Sequence, residues 1–185
     1  DVAALHDVLA DCARRRWRPI AIVGVAGSTD AGSLDPLDAL GAAARQHGVH
    51  FHVDAAWGAP LLFSARHRTL LRGIEQADSV TLDFHKQLNL PIGLSALMLR
   101  NPGDSAMLLR EAAYMLRPDS TDLGKHSLEG SRNGLSLVAH AALHLFGRAG
   151  IAARIGDHLA RAARFAQAIG RQEAFGLVLP PQAKN

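Results

Sequence analysis

The chain has 185 residues, a length that fits one domain, or one domain and part of a second. Apolar residues make up 48% of the chain and charged residues 20%, which excludes a disordered protein because such a composition can bury a packed core. Aromatic residues make up only 5% and the net charge is +3, so a stacking platform for single-stranded nucleic acid is not expected.

The chain carries a single cysteine, Cys12, which excludes an internal disulfide and suits a reducing cytoplasm. No apolar stretch reaches the length expected of a bilayer span, and Asp1 does not begin a signal peptide. The only basic cluster is formed by the arginines at 14–16 and 18, which is more typical of a solvated surface than of a polyanion site. We therefore expect a cytoplasmic protein that binds neither nucleic acid nor membranes.

Short apolar runs alternate with amphipathic helices over the first two thirds of the chain. The run at 20–26 predicts a strand buried on both faces. Asp35 followed by Pro36 predicts the N-cap and first turn of a helix that ends at Gly48. Three more strands and a short helix are predicted, the strands at 49–53, 78–84 and 94–99 and the helix at 66–75. This alternation predicts an α/β fold with a mostly parallel sheet covered by helices.

The last third of the sequence is predicted to be helical, with one helix at 127–146 and a second at about 150–170. The second helix has an apolar stripe that includes Ile151, Ile155 and Leu159, which is typical of core packing. The apolar run at 175–179 is typical of a strand, although no partner strand follows it. We therefore predict a larger unit at 1–134, followed at 135–185 by a linking helix and the start of a small α+β domain.

Two histidine pairs have a spacing that imitates a metal site. His50 and His52 alternate along a predicted strand, and His140 and His144 lie one helical turn apart. Neither pair has a third ligand at a suitable spacing, so we expect no metal site.

Polar side chains follow the ends of the predicted strands. Thr29 follows the first strand, Asp54 the second and Lys86 the third. Because ligands bind at the carboxyl ends of the strands in such sheets, we expect these side chains at one edge. An enzyme that uses pyridoxal phosphate needs a lysine amine, a carboxylate for the ring nitrogen and a flat apolar slot, which Ala55 and Ala56 can provide. Singly, a strand-end aspartate often caps a helix and a loop lysine is usually solvated.

The segments HVDAAW at 52–57 and TLDFHK at 81–86, in which Lys86 follows Asp54 by 32 positions, resemble the group II pyridoxal-phosphate-dependent amino acid decarboxylases. The resemblance extends from about residue 22 to 150. The run GIEQADSVTLDFHK at 73–86 is most similar to the L-2,4-diaminobutyrate decarboxylase branch. The resemblance implies the aspartate-aminotransferase-type fold, which is fold type I of these enzymes.

The resemblance also implies a role for each matching residue. Lys86 would hold pyridoxal phosphate as a Schiff base, Asp54 would pair with the ring nitrogen, and Ala56 would lie against one ring face. Thr29 would lie near the 3-oxygen of the ring or near the substrate carboxylate. His85 would lie beside the phosphate and the lysine.

Three further residues have roles that the resemblance leaves open. Asp83 stands where many relatives have asparagine and would contact the phosphate region. Tyr114 would return a proton to the substrate carbon, or would lie at a helix end without a catalytic role. Arg132 resembles an arginine at the junction with the C-terminal domain, where it would either bind or stabilise.

The activity implied is α-decarboxylation of an L-amino acid in a homodimer, with L-2,4-diaminobutyrate as the favoured substrate and 1,3-diaminopropane and carbon dioxide as products. The alternatives are transamination, or decarboxylation of an aromatic amino acid, glutamate or aspartate. Desulfuration is disfavoured because no cysteine follows Lys86. A non-catalytic fragment that packs on a partner chain is a further alternative. Since the upstream phosphate loop and most of the C-terminal domain of these enzymes have no counterpart here, we expect the middle section of a longer enzyme.

Overall fold

Four strands form one sheet in the computed structural model, which describes residues 1–109, 123–127 and 133–179. In spatial order the strands are β1 (Ala21–Val25), β2 (His50–Asp54), β3 (Ser79–Asp83) and β4 (Ser95–Leu99). β2 pairs in parallel with both β1 and β3, whereas β4 is antiparallel to β3. The predicted mostly parallel sheet is therefore confirmed, and β4 reverses because residues 84–94 are too few for a helical crossover.

The three α-helices are α1 (Val2–Arg14), α2 (Leu37–His47) and α3 (Leu135–Ile169). α2 ends at Gly48, whose left-handed backbone (φ 62°, ψ 38°) forms the predicted stop. The predicted N-cap role of Asp35 is wrong, because its Oδ2 accepts a hydrogen bond from the Val25 backbone N–H at 2.8 Å. The carboxylate thus fastens the segment before α2 to the end of β1.

The main core lies on one face of the sheet, between the sheet and α2. Phe51 and Val53 of β2 point into it and are almost completely buried. Gly24 of β1 permits the close approach of α2, since a Cβ there would lie 2.8 Å from Leu37. The opposite face is more open, and Val23 on that face is 54% exposed. The prediction that β1 is buried on both faces is therefore wrong for the described residues.

Two predicted elements take another form. The helix predicted at 66–75 consists of two short 3-10 turns, Arg68–Leu71 and Ile74–Gln76. Gly73 separates them with φ 100°, which no α-helix contains. The strand predicted at 175–179 is wrong, because the described residues provide no partner strand and this segment forms bends and irregular backbone.

Helix α3 is interrupted at Gly147 (φ 58°, ψ 178°), close to the predicted gap between two helices. Beyond the break, Ile151 and Ile155 are buried in the same cluster as the sheet residues. α3 also contains an 18-residue window whose length and mean hydropathy suffice to cross a membrane, so the expectation that no such stretch exists is wrong. Length and composition alone select this window, 11% of which is buried. The division at residue 134 stays a prediction.

Candidate functional site

The carboxyl ends of the three parallel strands are joined by backbone hydrogen bonds. The Ala26 N–H, just after β1, donates to the Asp54 carbonyl at 2.8 Å, and the Asp83 N–H donates to the Ala56 carbonyl at 3.2 Å. Asp54 and Asp83 are thereby held at one edge of the sheet. Thr29 lies near the same edge in an exposed loop after β1.

Asp54 ends β2 on the open face of the sheet. Its side chain is exposed, and its Oδ1 accepts a hydrogen bond from the Ala56 N–H at 3.1 Å. Ala55 is fully buried in the main core cluster, whereas Ala56 is 8% exposed and lies outside that cluster. The Asp54 carboxylate is therefore held by a hydrogen bond within its own turn, next to the small apolar side chain of Ala56.

Lys86 lies three residues beyond the end of β3 and forms an ion pair with Asp83. Its Nζ is 3.0 Å from Asp83 Oδ2, and the Asp83 carboxylate also accepts a hydrogen bond from the Ser95 hydroxyl. His85 Nε2 lies 3.7 Å from the same Oδ2. Its Nδ1 is 3.2 Å from the Leu94 carbonyl, a contact that requires the proton on Nδ1 because a carbonyl only accepts.

The charge of Asp83 is favoured by its neighbours. Burial of the carboxylate would raise its pKa, but the hydrogen bond from Ser95 and the adjacent Lys86 and His85 outweigh burial and lower the pKa of Asp83. The charged form of Asp83 is therefore favoured at a buried position, beside a lysine that is about one-third exposed.

Residues of the open sheet face form a separate hydrogen-bonded ladder. Ser79 Oγ lies 2.8 Å from both His50 Nε2 and His52 Nδ1, and Thr81 Oγ1 lies 3.3 Å from His52 Nε2. A hydroxyl has one proton to donate, so one imidazole accepts from Ser79 and the other donates to it. The pair predicted to imitate a metal site is thus engaged with a serine.

The structure brings together Asp54, Ala56, Asp83, His85 and Lys86, whose roles stay predictions. Tyr114 and Arg132 lie outside the described residues. Sequence reasoning gave no role to Ser95, which binds Asp83. Its position opposite Asp83 depends on the antiparallel register of β3 and β4, and a single sequence does not show that register.

The donor set of this edge fits pyridoxal phosphate. Lys86 provides a primary amine that is about one-third exposed, and Asp54 provides an exposed carboxylate on the neighbouring strand. The small side chain of Ala56 leaves room for a flat ring, whereas Ala55, which was also predicted to border the slot, is buried in the core. Lys86 would hold the cofactor covalently, and Asp54 would hold the proton on its ring nitrogen.

Comparison with known proteins agrees with this chemistry. The family model described as "pyridoxal-dependent decarboxylase conserved domain" matches residues 1–185. An aspartate 1-decarboxylase of Aliivibrio fischeri is 42% identical over 174 residues, which are 94% of this chain and 32% of that protein. An L-2,4-diaminobutyrate decarboxylase of Rhizobium meliloti is 39% identical over 185 residues, covering 97% of this chain and 37% of that protein.

Solved structures give the same result for the fold. The crystal structure of mouse CSAD in apo form superimposes with a TM-score of 0.89 at 30% identity, covering 98% of this chain and 39% of that one. The chain spans about a third of the length of the curated relatives it matches. Because the family model matches the chain from its first residue to its last, the chain belongs to the pyridoxal-dependent decarboxylase family and has the α/β architecture of fold type I.

Proposed function

We propose that this chain is part of an enzyme that uses pyridoxal phosphate to remove the α-carboxyl group of an L-amino acid as carbon dioxide. The observation that supports this most directly is the placement of Lys86 and Asp54 at the ends of two adjacent parallel strands. The backbone bond between Asp83 and Ala56 keeps those ends together. The family match supports the same reaction class.

The bound cofactor supplies a protonated ring that accepts the electron pair left behind when carbon dioxide departs. Asp54 maintains that protonation from a position fixed by the Ala56 N–H. Ala56 would contribute the apolar surface for the ring, and the Lys86 amine would hold the cofactor covalently. Thr29 orients the substrate or the ring from the loop after β1. The return of a proton by Tyr114 stays a prediction.

For the substrate we propose L-2,4-diaminobutyrate, as the motif at 73–86 suggests. The relative named as an L-2,4-diaminobutyrate decarboxylase supports it at 39% identity. L-Aspartate is the second candidate, because the relative named as an aspartate 1-decarboxylase is 42% identical. The two side chains carry opposite charges, so a site built for one rejects the other. We propose that the enzyme is located in the cytoplasm and assembles as a homodimer. Sedimentation of the purified protein measures its oligomeric state.

The cofactor is tested by incubating the protein with pyridoxal phosphate, reducing it with borohydride and mapping the peptides by mass spectrometry. We expect a pyridoxyl group on Lys86. The other two lysines of the chain, Lys125 and Lys184, report non-specific modification in the same digest. Equal labelling of all three lysines, or none on Lys86, would contradict the proposed cofactor site of this chain.

The substrate is tested on the full-length enzyme that contains this chain. With L-2,4-diaminobutyrate we expect carbon dioxide and 1,3-diaminopropane in equal amounts. Release of β-alanine from L-aspartate at a higher kcat/KM would assign the second candidate instead. Formation of a keto acid from either amino acid would show transamination and contradict the proposed reaction.

A further inference from the structure

Asp83 is the most heavily engaged polar side chain of the candidate site. The residue is 8% exposed, and its carboxylate is contacted by Ser95, Lys86 and His85. Its backbone N–H donates to Ala56. The three side-chain contacts stabilise the negative charge of the carboxylate, and the backbone bond fixes the position of the residue beside Lys86.

A negative carboxylate is a poor partner for a phosphate group. An anion brought close to Asp83 would experience like-charge repulsion, and a carboxylate without a proton has nothing to donate to a phosphate oxygen. An asparagine amide in the same place could donate such a bond. The expected contact between Asp83 and the phosphate region is therefore disfavoured by the charge that the structure gives this side chain.

We propose that Asp83 is a positioning residue for Lys86, which it holds in an ion pair at the end of β3 until the cofactor is bound. Ser95 supports this role from β4 by fixing the carboxylate oxygen that does not face Lys86. Lys86 must leave Asp83 before its nitrogen attacks a carbonyl carbon, because a protonated amine has no free electron pair. The role of this ion pair before cofactor binding rests on the proposed function, whereas the ion pair itself is observed in the structure.

The test measures how readily Lys86 is acylated in the cofactor-free protein. A limiting amount of the N-hydroxysuccinimide ester of acetic acid is added near neutral pH, and the acetylated fraction of each lysine is read by mass spectrometry. We expect Asp83→Asn to raise the acetylation of Lys86, relative to Lys125 and Lys184, by about threefold or more. Asp83→Glu retains the charge and restores slow acetylation.

The matched control is Asp78→Asn. Asp78 lies just before β3, where its Oδ2 accepts from the Phe51 N–H at 2.8 Å, and it makes no contact with Lys86 among the described residues. We expect this variant to leave the acetylation of Lys86 unchanged. Equal effects of the two variants would overturn the proposal.

Salt provides a second measurement that needs no variant. High ionic strength screens a partly exposed ion pair, so added sodium chloride should raise the acetylation of Lys86 in the unsubstituted protein and have little effect in Asp83→Asn. A salt-independent rate in the unsubstituted protein contradicts the proposal even if Asp83→Asn does not fold. Because no cofactor is present, this result is independent of the borohydride experiment, which tests the proposed function.

Discussion

Individual side chains in this protein are charged or neutral according to their nearest contacts. Asp83 keeps its charge because a hydroxyl and two basic side chains face it. His67 shows the opposite case, since burial disfavours its protonated form and the nearby Arg66 disfavours it further. Ser64 Oγ lies 3.0 Å from His67 Nδ1. Both residues link protonation to folding, but in different ranges of pH.

His67 makes the folded state sensitive to mild acid. Its pKa in the folded protein lies below the usual value of 6.5, so the unfolded chain binds the proton more readily. Stability therefore rises with pH up to about 6.5 and is lost as the pH falls through the folded pKa. We expect His67→Gln to flatten the slope of the unfolding free energy against pH in this range, as measured by urea titrations.

The control for this prediction is His6→Gln, at an exposed position of α1. It removes an exposed histidine that has no neighbour comparable to Ser64 or Arg66 among the described residues, and we expect it to keep the slope. The same flattening in both variants would show that the slope does not originate at His67.

At the level of elements, the loop after β2 depends on the close approach of two backbones. Gly58 lies against Ala26, the residue that follows β1, and a Cβ on Gly58 would be 2.1 Å from the Ala26 carbonyl oxygen. The backbone of Gly58 has φ −85°, which any residue can adopt. The requirement for glycine is therefore purely one of space.

Gly58→Ala should lower the free energy of unfolding by about 3 kcal/mol, because the backbone oxygen of Ala26 has to move. Gly156→Ala is the matched control, since nothing lies within 4 Å of its added methyl group and it is within α3. Alanine there should raise stability by up to about 1 kcal/mol through its higher helix propensity. A small loss for Gly58→Ala in urea titrations would contradict the close approach.

Sequence patterns predicted the four strands of the sheet to within about two residues, because each strand is a short segment with apolar residues that is bounded by turn residues. They did not predict what depends on distant parts of the chain. Asp35 has the position of an N-cap but binds Val25 of β1, and residues 175–179 have strand composition without a partner strand among the described residues. The same holds for the candidate site. The sequence identified Lys86 and Asp54 from their positions after predicted strands, whereas the contact of Ser95 with Asp83 depends on the pairing register of β3 and β4.

At the level of the whole molecule, the two faces of the sheet are stabilised differently. The face toward α2 is packed by apolar side chains. The open face carries exposed Val23 and Leu97 beside the ladder of His52 and Ser79. The polar groups of the ladder form hydrogen bonds with one another, so they are satisfied without another element packed on this face.

Helix α3 is attached to the rest of the molecule through a few buried side chains after its break at Gly147. Ile155 is 1% exposed and belongs to the main core cluster, whereas Phe165, ten residues further along the helix, is 68% exposed. We expect Ile155→Ala to lower the free energy of unfolding by about 2–5 kcal/mol through the cavity it leaves. Phe165→Ala removes a larger side chain but should cost less than about 0.5 kcal/mol, because little of it leaves water on folding. Urea titrations of both variants measure the difference, and a larger loss for Phe165→Ala would show that α3 packs through its other face.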